Sequence, residues 1–199
     1  MKIKICGLFR KEDIDYVNEA EPDYAGFVFA KSRRQVDFNT AQRLSAGLNP
    51  KITPVGVFVD APVDTIASLY MDGIIRAAQL HGNENEEYIT KIKTYGIPVI
   101  KTVQCASNPI QTELASYNNA DFLLFDSGCG SGERFDWSIL NFTSSARQPW
   151  FLAGGIKQDT IDEAILLNPF CIDVSSGAES GGLKDREKIK NLVNRVRQA

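Results

Sequence analysis

Histidine and cysteine are scarce in this chain of 199 residues. There is one histidine, His81, and there are four cysteines, Cys6, Cys105, Cys129 and Cys171, spread without a C-x-x-C pair. That spacing excludes the usual zinc ligand sets and argues for free thiols rather than bridges. Basic residues are also short: 22 Lys and Arg against 25 Asp and Glu give a net charge of −3. The one basic cluster is Lys31–Arg34, too little for a nucleic-acid partner. No apolar run reaches the roughly 20 residues that cross a bilayer, so no membrane partner is expected. The first strand-like segment starts at Ile3, leaving no room ahead of it for a signal peptide. Together with free thiols this points to a reducing, cytoplasmic location.

What is present is ordinary for a soluble globular protein: 43% hydrophobic and 24% charged residues. A chain of this length can bury roughly 70% of its unfolded surface and needs neither metal nor disulfide staple. No linker or shift of composition divides it, and residues 1–199 read as a single domain. Exposed helix faces carry no evident sticky patch, which favours a monomer and leaves a homodimer open.

One pattern recurs from end to end. A short apolar run is followed by a polar break and then by helical spacing. The strand-like runs are Ile3–Cys6, Ala25–Phe29, Thr53–Val59, Ala77–Leu80, Pro98–Val103, Asp121–Phe125, Trp150–Ala153 and Cys171–Val174. They are apolar on both alternations, as strands covered on both faces are. Between them, Val63, Ile66, Ala67 and Tyr70 fall on one helical stripe, as do Ile189, Leu192, Val193 and Val196. Ala41, Leu44 and Leu48 follow a candidate cap at Asn39, Pro62 suits a first turn, and Asp185 precedes the last helix. The sixth helix, at Asp136–Leu140, has room for little more than a turn. Eight strands alternating with eight helices predict a compact α/β fold, a closed (β/α)8 TIM barrel of parallel strands, over an open doubly wound sheet.

In such a barrel, chemistry sits at the carboxyl ends of the strands. LAGGI (Leu152–Ile156) and DVSSGAE (Asp173–Glu179) end strands seven and eight. Their glycines allow close backbone approach to an anion, so Gly154, Gly155, Ser175, Ser176 and Gly177 form a candidate phosphate site; tight turning alone would also use such glycines. Cys6 ends strand one beside Gly7. A cysteine there can be a small buried hydrophobe, or a base or nucleophile once its thiol is activated. Asp126 ends strand six, where it can cap the next loop or serve as a general acid with a pKa raised by partial burial. Arg34 can meet a substrate carboxylate with its fork. Lys101 can be a Schiff-base lysine or pair with an acid inside the barrel. His81 can be a general base or, the favoured reading, make a structural hydrogen bond at the end of strand four.

With these residues in view the chain resembles the phosphoribosylanthranilate isomerases of tryptophan biosynthesis. KICG (Lys4–Gly7), GFVF…KSRRQV (Gly26–Val36), VGVFV (Val55–Val59), QLHG (Gln79–Gly82), FDSGCGSGERFDW (Phe125–Trp137), LAGGI and DVSSGAE…GLKD are similar to that family's segments in the same order. The resemblance implies an Amadori rearrangement of a phosphosugar, a small-molecule substrate, without cofactor or metal. It assigns Cys6 as general base, Asp126 as general acid, Arg34 to the anthranilate carboxylate, and Gly154, Gly155, Ser175, Ser176 and Gly177 to the phosphate. Three departures stand out: Phe9 in place of a threonine, Cys129 in place of a glycine, and a short loop from Asp126 to Phe135, whose Gly128–Gly132 stretch can act as a lid. The alternatives are another phosphosugar-acting barrel (isomerase, epimerase or aldolase) and a non-catalytic phosphate-binding barrel.

Overall fold

A computed structural model describes residues 1–105, 116–127, 137, 140 and 147–199. The eight strand-like runs become eight strands: β1 Lys2–Cys6, β2 Tyr24–Val28, β3 Thr53–Phe58, β4 Ala77–Leu80, β5 Val99–Gln104, β6 Phe122–Asp126, β7 Trp150–Leu152 and β8 Cys171–Val174. They pair in parallel in chain order, and β8 closes on β1. Six helices lie among the described residues: α1 Lys11–Ala20, α2 Phe38–Ala46, α3 Val63–Met71, α4 Glu86–Lys93, α5 Ile161–Leu166 and α6 Arg186–Arg197. Cys129, the Gly128–Gly132 stretch and most of the segments expected to form the fifth and sixth helices lie outside the described residues. No helix among the described residues is long and apolar enough to cross a membrane.

The helices form where stripe and cap agree. Ile189, Leu192, Val193 and Val196 of α6 are all fully buried, and Asp185 caps the helix by accepting from Lys188 N. Pro62 precedes α3 directly. The cap of α2 is Asp37, not Asn39: its carboxylate accepts from Thr40 N at 2.7 Å. Asp37 stands just ahead of the buried Ala41–Leu44 stripe, so its side chain reaches the free amides of the first turn, whereas Asn39 is already inside the helix. A short antiparallel hairpin, β9 Glu179–Ser180 with β10 Leu183–Lys184, follows a 3-10 turn at Ser176–Ala178 and was not foreseen.

The alternation of each strand sorts its side chains into two cores. Ile3, Ile5, Val99, Val103, Leu123 and Phe125 face the helices, whereas Val55, Ala77, Ile100, Leu124, Phe151 and Cys171 fill the barrel interior. Two residues further along the same faces come Gln79, Thr102, Asp126 and Asp173, and on β1 Lys4 and Cys6. The interior is thus apolar at the bottom and polar toward the mouth.

Candidate active site

Strand register assembles the polar layer. Lys4 lies opposite Asp173 across the β1–β8 seam. Both are buried, and the Lys4 ammonium meets Asp173 Oδ1 at 3.0 Å and Oδ2 at 2.9 Å. It also donates to Gln79 Oε1 at 2.8 Å. That bond turns the Gln79 amide nitrogen toward His81 Nδ1, 3.2 Å away. His81 Nδ1 therefore accepts, and the proton of the neutral ring sits on Nε2. Nε2 faces Asp126 Oδ2 at 3.5 Å, at the long limit of a hydrogen bond. Asp126 Oδ1 accepts from Ser127 Oγ at 3.3 Å. His81 thus makes the expected hydrogen bonds at the end of β4, and it also abuts the carboxylate on β6.

Above this layer opens a cavity of about 370 Å3. Its volume falls in the range of small-molecule sites. Cys6, Arg34, Asp126, Gly154, Gly155, Ser175 and Ser176 all line it. Gly177 does not: a Cβ there would lie 1.9 Å from Ile156 O, so Gly177 packs the turn after β8 beneath the loop after β7. Gly154 and Gly155 take φ of 82° and 70°, a left-handed backbone that turns the chain tightly at the end of β7. Gly26, the register partner of Cys6, makes room for the thiol, since a Cβ at Gly26 would sit 2.7 Å from Sγ.

Burial pushes the Cys6 thiol up from its ordinary value, with Asp173 adding to the effect; Lys4 and then Lys184 pull it down. Burial also pushes His81 down, which keeps the ring neutral, against an upward pull from Asp126. Burial alone would lower Lys4, but Asp173 and Cys6 more than offset it and hold the ammonium charged.

The Arg34 fork is engaged within the protein. Nε and Nη2 donate to the two oxygens of buried Glu179 at 2.7 and 3.1 Å. Glu179 also accepts from Arg33 Nη2 at 2.6 Å and Lys184 Nζ at 2.7 Å. Burial raises its pKa, and the hydrogen bonds from Arg34 and Lys184 more than reverse the shift. Sequence reasoning did not find this partnership, which joins the β2 loop to a hairpin 145 residues away.

Lys101 is fully buried and bonds Glu84 Oε2 at 2.9 Å and Gly82 O at 2.7 Å. It pairs with an acid as expected, but on the helix side of β5, between Val99 and Val103, not inside the barrel. The period of two puts Ile100 and Thr102 inward and Lys101 outward. It does not line the cavity, which removes the Schiff-base alternative at this site. Phe9 is half-buried against the helix-side core.

Residues 3–195 match the family described as N-(5'-phosphoribosyl)anthranilate (PRA) isomerase. A protein of Endomicrobium trichonymphae named N-(5'-phosphoribosyl)anthranilate isomerase is 46% identical over 98% of this chain and 98% of its own. The crystal structure of phosphoribosyl anthranilate isomerase from Thermotoga maritima is similar with a TM-score of 0.91 and 32% identity, covering all of both chains. A phosphoribosyl anthranilate isomerase solved in complex with reduced 1-(o-carboxyphenylamino)-1-deoxyribulose 5-phosphate matches with a TM-score of 0.87 and 33% identity, again over both whole chains.

Proposed function

The chain belongs to the N-(5'-phosphoribosyl)anthranilate isomerase family, enzymes of tryptophan biosynthesis, and from that premise we propose that it rearranges N-(5'-phosphoribosyl)anthranilate to 1-(o-carboxyphenylamino)-1-deoxyribulose 5-phosphate, with Cys6 as general base and Asp126 as general acid. The observation that carries this reading is that one cavity is lined by a thiol, a carboxyl group, a glycine pair after β7 and a serine pair after β8, the last two suited to an anion. The ligand named for the complexed relative bears a carboxylate at one end and a phosphate at the other.

Asp126 protonates the furanose ring oxygen, the ring opens, and the aminal carbon becomes an iminium. Cys6 takes the C2′ proton, and the electron pair of that C–H bond quenches the iminium to an enolamine. The enolamine becomes the ketone by moving the O2′ proton to C1′. Both anionic ends are clamped, which holds the sugar between acid and base. The phosphate takes the amides of Gly154, Gly155, Ser175 and Ser176, at the end of β7 and the 3-10 turn after β8, with Gly177 seating that turn under Ile156. The anthranilate carboxylate takes the edge of the Arg34 guanidinium that Glu179 leaves open. His81 Nε2 steadies the Asp126 carboxylate that forms as the proton leaves.

The test follows consumption of freshly prepared N-(5'-phosphoribosyl)anthranilate by its fluorescence. Cys6→Ser and Asp126→Asn each lose about 10²–10⁴-fold in kcat while keeping the fold and the binding of inorganic phosphate. Wild-type turnover in either variant would overturn the acid–base assignment.

A further inference from the structure

A lysine with no exposed surface, one layer beneath the Cys6 thiol, calls for an explanation. Lys4 and Cys6 stand two residues apart on β1 and share its inner face. The ammonium is fixed from two sides, by Asp173 of β8 and Gln79 of β4. As a strut alone this arrangement is poor value, because buried ion pairs are often replaced by packed apolar groups without loss of stability. We propose that Lys4 is a positioning residue whose buried ammonium supplies the positive charge that a Cys6 thiolate needs. The proposal rests on the base role given to Cys6 above.

Several charged groups face Cys6. Lys4 lies below it on β1, Asp173 beside it on β8, and Lys184 reaches in from β10. His81 and Asp126 line the same cavity across the mouth, and the Arg34 stem packs over Gly7. Lys184 and Arg34 are both hydrogen-bonded to Glu179, and His81 is neutral. Lys4 shares its charge with Asp173, but it is the cation that acts most strongly on the sulfur. Without it, burial and Asp173 both favour the inert thiol. Asp173 has two opposed effects: it keeps Lys4 charged, and it disfavours the thiolate through its own charge.

This gives a test with opposite signs. Alkylation of Cys6 by iodoacetamide is measured against pH in the full-length protein, read from the mass of the Cys6 peptide so that other thiols do not count. Lys4→Gln moves the midpoint up, slowing alkylation at fixed pH by about tenfold, equivalent to about one pH unit. Asp173→Asn, which removes the opposing charge and leaves the Lys4 ammonium bonded to Gln79, moves it down by a similar factor. Buried Cys171, two residues from Asp173, monitors loosening and stays unreactive. Shifts in the same direction, no shift in either variant, or release of Cys171 together with Cys6 would overturn the proposal. If Lys4→Gln does not fold, Lys4→Met, which keeps the apolar stem and removes the charge, takes its place under the same Cys171 control. The low-pH limb of kcat/KM moves with the Cys6 midpoint. A limb that stays put while that midpoint shifts removes Cys6 from the base role and leaves the effect of Lys4 on the thiol supported.

Discussion

The contact between Gly26 and Cys6 gives a quantitative prediction at the mouth of the barrel. A methyl group at Gly26 would lie 2.7 Å from Cys6 Sγ, 3.0 Å from its Cα and 3.2 Å from its Cβ. Rotating the thiol away relieves the first contact but not the second, because Cα is backbone. The β1–β2 seam must therefore part locally, at the point where Gly7 N and Leu8 N bond Gly26 O at 2.9 and 3.0 Å. Overpacking of this kind costs about 2 kcal/mol, within a usual span of roughly 1–3. For a chain of this size that lowers Tm by about 4–8 °C. With Cys6 as the proposed base, activity falls further, because displacing a catalytic atom by about 1 Å can cost on the order of 10²-fold. Thermal unfolding by circular dichroism and kcat/KM of Gly26→Ala measure both effects. Adding Cys6→Ala removes the sulfur and recovers part of the lost stability, a coupling of about 0.5–3 kcal/mol. Unchanged melting and unchanged kcat/KM in Gly26→Ala would refute the close approach of the two strands.

Glu179→Gln loosens the Arg34 fork and leaves the Lys184 ammonium without its carboxylate. Losing a charged hydrogen bond worth about 1.5–3 kcal/mol raises KM roughly 10–100-fold, with a smaller fall in kcat; an unchanged KM would separate Glu179 from substrate binding. Burial depresses the His81 pKa, so its neutral form stabilises the fold above the ordinary value near 6.5, and that contribution is lost as pH falls through the folded value. Urea denaturation between about pH 7.5 and 5 shows wild type losing more stability than His81→Gln, whereas parallel curves would contradict a buried neutral ring. Lys101→Met strands Glu84 as an uncompensated buried carboxylate and costs about 3–5 kcal/mol, measured by the same denaturation. A loss no larger than that of an exposed lysine would disprove the buried pair.

Fold and site were legible in the sequence to different degrees. Parallel strands covered on both faces are written as short apolar runs, and all eight runs became strands with ends shifted by no more than a residue or so. Helix stripes carried over because their residues had to be buried, as Ile189 to Val196 show. Cap identity carried over less well, since Asp37 and Asn39 have equivalent chemistry and only the helix start distinguishes them. The β9–β10 hairpin is four paired residues of mixed polarity and leaves no periodic signal.

The strand-end rule selected residues that, Gly177 apart, lie around one cavity, but not their partners inside the protein. Those partners come from closure of the barrel, which puts Lys4 against Asp173 across 169 residues of chain, and from the hairpin, which carries Glu179 back to Arg34. Neither contact has a local signature. The same closure explains why the interior changes character along its axis. At the bottom, Phe151, Leu124 and Cys171 need no partners and stabilise by burial alone. One step higher, Lys4, Asp173, Gln79 and Thr102 are buried at a cost that their mutual hydrogen bonds offset. At the mouth, Cys6 and Asp126 line the cavity proposed to hold the substrate. The middle layer satisfies its own polar groups and lies directly beneath Cys6 and Asp126, so under the proposed mechanism it sets the charge around the acid and the base from below.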